Sequence, residues 1–96
     1  MTEINIPINL ESRRRGITFI YLTKFDGSNV LYGTIETFDN LLVSARYDRF
    51  EKFVKESEAQ LLAHPSCFAA EDIEWLKNYL ITKRKAFEDA AKELRE

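Results

Sequence analysis

Residues 17–24 read Ile17-Thr18-Phe19-Ile20-Tyr21-Leu22-Thr23-Lys24, a run of β-branched and aromatic side chains. Asp26-Gly27-Ser28-Asn29 follows, and then Val30-Leu31-Tyr32-Gly33-Thr34-Ile35-Glu36-Thr37-Phe38. The flanking runs have the composition of strands, and Gly27 can take the positive φ that a tight turn requires. The three pieces predict a β-hairpin with a four- or five-residue loop. Asp39-Asn40 offers a second turn. Beyond it Leu41, Val43, Ala45 and Tyr47 alternate with Leu42, Ser44 and Arg46, a period of two that predicts a third antiparallel strand.

After Tyr47 the period lengthens. Asp48 is placed to cap a helix, with Glu51 three residues on as in a capping box. Phe50, Phe53, Val54, Ser57 and Leu61 share one helical face, and His64-Pro65 ends the segment because a residue before proline avoids the helical region. Ile73, Leu76, Leu80, Phe87, Ala90 or Ala91, and Leu94 then form a second, longer stripe, widened by Trp75 and Tyr79 and interrupted at Lys83. The expected fold is therefore α+β, a single domain. An N-terminal arm (1–16) leads into a small β-meander of about three strands (17–47). A helix (48–64) and a long C-terminal helix (70–95) pack on one face of it.

Length arithmetic raises the question of partners. A helix from Glu71 to Arg95 is about 37 Å long, against about 24 Å for one from Asp48 to Ala63 and about 23 Å for a seven-residue strand. On these boundaries the distal stripe overhangs its own fold, and Phe87, Ala91 and Leu94 become the expected surface for a homodimer. If the first helix starts at Asn40 instead, it reaches about 36 Å and the overhang vanishes.

The chain has 96 residues, 14 Lys plus Arg, 16 Asp plus Glu and a net charge of -2. That mixture is too apolar for a disordered chain and too mixed in charge for a single-sign tail. The half from residue 49 onward holds 9 basic and 10 acidic side chains, against 5 and 6 in the first half, in keeping with a β-rich start and a helical finish. Cys67 has no second cysteine to pair with, which fits a reducing, cytoplasmic setting. The N-terminal residues lack the basic and apolar segments of a signal peptide, and the longest apolar run is far shorter than a membrane span.

Catalytic motifs are scarce. Three scattered glycines make neither a P-loop nor a dinucleotide fingerprint. His64 and Cys67 stand three apart around Pro65. A tetrahedral zinc needs more donors than this pair, so only a zinc shared between two chains is open to it. A thiol–imidazole nucleophile is chemically possible but has no oxyanion-hole motif beside it. A helix-ending histidine and a small buried thiol explain the pair as well. The reading is of no enzyme, no cofactor and no metal.

Arg13-Arg14-Arg15 is the sharpest basic feature, a charged docking patch for phosphates or for an acidic protein surface. Lys83-Arg84-Lys85 spreads around a helix, and Arg84–Glu88 and Lys85–Asp89 are spaced to pair at i,i+4. The 12 aromatic residues include Phe19, Tyr21, Phe25 and Tyr32 on the hairpin, where they serve either core packing or base stacking.

Phe19-Ile20-Tyr21-Leu22, followed by Gly33-Thr34-Ile35-Glu36-Thr37-Phe38-Asp39-Asn40, resembles the first motif of the Sm and Hfq RNA-binding barrels. The resemblance implies a ring-forming RNA-binding module in which Asp39 and Asn40 line a base pocket. It covers under a third of the chain. Leu41 stands where bacterial members place an aromatic stacker, and residues 48–96 carry a helical pattern in place of the second motif. The leading expectation is thus a non-catalytic protein-interaction module, a small cytosolic regulator or inhibitor that self-associates. Arg13, Arg14, Arg15, Phe87, Ala91 and Leu94 are its binding residues; an RNA-binding ring is the alternative, and a small enzyme the third reading.

Overall fold

The computed structural model describes residues 1–38, 40, 42–64 and 68–96. Four strands, β1 (Thr2–Asn5), β2 (Ile17–Lys24), β3 (Leu31–Thr37) and β4 (Leu42–Arg46), pair antiparallel in sequence order. Helices α1 (Leu10–Arg14), α2 (Phe50–Leu62), α3 (Ala70–Thr82) and α4 (Arg84–Arg95) complete an α+β fold with a Cα radius of gyration of 12.8 Å.

The pleat sorts the side chains. Ile4, Ile6, Ile20, Leu22, Leu31, Ile35, Val43 and Ala45 point to one face, where α2 and α4 cover them. Phe53 of α2 sits over Gly33 of β3. A Cβ built on Gly33 would lie 2.2 Å from the Phe53 ring, so the helix approaches the sheet at the one inner position without a side chain. Tyr47, Phe50, Phe53 and Phe87 form an aromatic cluster with ring centroids 5.4–5.9 Å apart.

Residues 1–16 are not an arm. Glu3-Ile4-Asn5-Ile6 alternates as an edge strand must, and Asn9 caps α1 by accepting from the Ser12 amide (2.9 Å) and hydroxyl (2.8 Å). The first long helix starts at Phe50, neither at Asp48 nor at Asn40, because 42–46 are strand. Its N-cap is Arg49. The Asp48 carboxylate is taken up by Lys52 (3.2 Å) and Arg46 (3.0 Å), which hold its pKa below the ordinary value.

The expected long C-terminal helix is two helices. At Lys83 the backbone turns to φ -101°, ψ 9°, its N–H donates back to Leu80 (2.9 Å), and the Thr82 hydroxyl donates to the Tyr79 carbonyl (2.6 Å). These tighter bonds end α3 at Thr82, and α4 starts anew at Arg84. The interruption of the stripe at Lys83 was the sequence trace of this break. At about 18 Å, α4 no longer outruns the sheet, and Phe87 (0 % exposed), Ala90, Ala91 (2 %) and Leu94 (5 %) are core residues of the single chain. The overhanging apolar face, and with it the geometric reason for a dimer through Phe87, Ala91 and Leu94, does not exist.

Candidate functional site

The other face of the sheet is uncovered. Cross-strand pairing sets its side chains in three rows: Glu3, Thr23, Tyr32 and Arg46; Asn5, Tyr21, Thr34 and Ser44; Phe19, Glu36 and Leu42. A β-bulge between Ile17 and Phe19, where the Thr18 hydroxyl donates to the Glu36 carbonyl (3.1 Å), brings Phe19 outward. Phe19 (53 % exposed), Leu42 (55 %) and Tyr32 (39 %) therefore stand in water, joined by Phe25 (51 %) from the hairpin loop. Phe25 meets Tyr32 edge to face, centroids 6.2 Å apart.

Between these rings lies a shallow depression of about 490 Å³. Thr23 and Thr34 form its floor, both buried, and Tyr21, Phe25, Tyr32 and Glu3 its walls. The Thr23 hydroxyl lies 3.5 Å from the Tyr32 carbonyl. Partial burial, with the Glu36 carboxylate beside it, raises the pKa of the Tyr21 phenol and keeps it a neutral donor. Glu3 and Glu36 are the anions of this face. Among the described residues its cations are engaged, Arg46 by Asp48 at 3.0 Å and the Met1 amine by Asp26 at 3.1 Å. Apolar rings, hydroxyls and a slight negative charge suit a protein surface better than a phosphate backbone.

The arginine triplet divides. Arg15 closes α1 and reaches Glu11 (2.9 Å) and Asp72 (3.0 Å), with its guanidinium 5.0 Å over the Trp75 ring. Burial opposes its charge, but these two carboxylates outweigh it and raise the pKa. Arg15 thus clamps α1 to α3. Arg13 and Arg14 remain at the surface, Arg14 at 4.0 Å from Glu11. Arg84 and Lys85 pair with Glu88 (3.4 Å) and Asp89 (2.9 Å) as their spacing implied. Arg84 also engages Glu51 of α2, which staples α2 to α4.

Asp39 and Cys67 lie outside the described residues. Asn40, the other residue implied to line a base pocket, sits in the left-handed region at φ 60°. The strands of the resembling region lead into helices, leaving a sheet with two edges among the described residues. No three His, Cys, Asp or Glu side chains converge on a metal-sized site among the described residues, and no described helix is long and apolar enough to cross a membrane.

Comparison with family models, curated proteins and solved structures finds no match for this chain.

Proposed function

We propose that this chain is a non-catalytic protein-interaction module, a small cytosolic regulator or inhibitor that engages another protein through the uncovered face of its sheet. The carrying observation is that Phe19, Phe25, Tyr32 and Leu42 stand in water on one side of a sheet whose opposite side is packed under α2 and α4. Such a patch, rimmed by hydroxyls and carboxylates, is what a protein partner desolvates on binding. With Phe87, Ala91 and Leu94 internal, the reading takes a different protein as the partner.

Affinity capture from the native host, with and without nuclease, tests the reading. A partner retained after nuclease treatment, and lost with Phe19→Ser/Tyr32→Ser but kept with Arg13→Ala/Arg14→Ala, supports it. Capture that nuclease abolishes contradicts it and returns the RNA-binding ring.

A further inference from the structure

The two edges of the sheet are treated differently. Tyr47 donates to the Leu31 carbonyl (2.8 Å), which fixes the phase of the β3–β4 ladder and turns the backbone groups of Leu42, Ser44 and Arg46 outward. At the centre of that edge the Gln60 side chain of α2 acts as a substitute strand. Its Oε1 accepts from the Ser44 N–H (3.1 Å) and its Nε2 donates to the Ser44 carbonyl (2.7 Å). The β4 edge is closed at its midpoint.

The β1 edge has no such cover. Ile6 donates to the Ile20 carbonyl at 2.8 Å, so Thr2, Ile4 and Ile6 face β2 and the N–H and C=O groups of Glu3 and Asn5 point away from the sheet. By the same phase these four groups lie outside the β1–β2 ladder. The depression beside the strand, about 510 Å³, carries Glu3, Glu93 and Glu96 against a single cation, Lys24. Its remaining carboxylate, Asp26, meets the Met1 amine at 3.1 Å. A second copy paired along β1 would bring two such acidic rims together, which is unfavourable. An extended segment with lysine or arginine at alternate positions meets carboxylates and outward backbone groups at once.

We infer that β1 is a strand-addition site for an extended basic segment of a partner protein, which joins the sheet as a fifth strand beside the aromatic face. The inference rests on the protein-interaction reading above and names the partner's chemistry. Antiparallel addition centred on Glu3 and Asn5 supplies backbone hydrogen bonds to both residues. Its successive side chains fall in turn toward Glu3 on the open face and toward Glu93 and Glu96 beneath, so the lysines of an alternating segment line one of these two acidic sides.

The test is amide-resolved NMR on the full chain, titrated with an acetylated octapeptide alternating lysine and valine, and with the same peptide carrying glutamate for lysine. Expected are shifts and slowed hydrogen exchange at the Glu3 and Asn5 amides, with the Ile4 amide little changed because it already bonds β2. The glutamate peptide should bind at least about tenfold more weakly. Asn5→Pro should weaken the lysine peptide by about tenfold, the value of one backbone hydrogen bond, and leave the fold intact because that nitrogen is outside the ladder. Glu3→Pro removes the other outward amide together with a carboxylate of the acidic rim, and should weaken binding further. Shifts confined to Tyr21, Phe25 and Tyr32 would overturn strand addition while leaving the face as a protein-binding surface. No shift anywhere would also overturn it, and the capture experiment alone would then decide whether the face binds protein. Protection of Glu3 and Asn5 that rises with protein concentration, without peptide, would assign the edge to a second copy and overturn the basic-segment inference.

Discussion

Phe87→Ala separates a core residue from an interface residue. The Phe87 ring is fully buried, stacked on Tyr47 at 5.9 Å with an interplanar angle of 8°, and in contact with Phe50 and Phe53 at centroid distances of 5.6 and 5.4 Å. Truncation removes a buried aromatic and leaves a cavity among three further rings that cannot collapse without moving the sheet or α2. Such changes cost about 3–5 kcal/mol. A domain of this size is stable by about 5–14 kcal/mol, so about a fifth of the total or more is lost. With a urea slope near 1.2 kcal/mol/M, the midpoint should fall by about 2.5–4 M. Urea unfolding followed by tryptophan fluorescence measures the shift, and sedimentation equilibrium over a range of concentrations reports the mass. An unchanged midpoint together with a concentration-dependent mass that the substitution abolishes would refute the assignment of the α4 stripe to the core.

Gly33→Ala should destabilise by about 1–3 kcal/mol by overpacking against Phe53, and Phe53→Leu on that background should recover part of the loss; a double-mutant cycle in urea measures the coupling. Tyr47 is 2 % exposed, its hydroxyl has no hydrogen-bond partner among the described residues, and burial pushes its pKa up to about 12. The unfolded chain gives up that proton near pH 10 and the folded chain near 12. Stability should therefore fall as pH rises through this window, by about 2–3 kcal/mol in total relative to Tyr47→Phe, which should itself be about 1 kcal/mol more stable at neutral pH; urea midpoints of both proteins at pH 8 through 12 test both statements. Gln60→Ala should uncover the Ser44 backbone and make the protein associate through β4 in sedimentation velocity.

Legibility in the sequence tracked the range of the signal. The hairpin was readable because its strands alternate and Gly27 marks the turn. So was the stripe of α2, since Phe50, Phe53, Val54, Ser57 and Leu61 recur at helical spacing. β1 carries the same alternation in Glu3-Ile4-Asn5-Ile6 but over too few residues to stand out, and α1 is shorter than two turns, announced only by Asn9. Lys83 disturbed the last stripe, yet a single polar residue on a helical face does not say whether the helix bends or tolerates it. The break became visible only through the local bonds of Thr82 and Lys83. The candidate site had no motif. Phe19, Phe25 and Tyr32 were visible as hairpin aromatics, and which of them faces water depends on register and on the bulge at Thr18. The contrast between the edges depends on ladder phase and on one glutamine sixteen residues from the serine it covers, which no local pattern encodes.

We propose the uncovered face with its β1 margin as the binding surface and the helices as its support. Hydrogen–deuterium exchange on the chain bound to its captured partner examines this most directly. Slowed exchange across β1 and the outward positions of β2 and β3, with α4 from Phe87 to Leu94 as protected in the free chain as in the bound one, is the expected result. New protection on the outer surfaces of α2, α3 and α4, with the sheet unchanged, would contradict it.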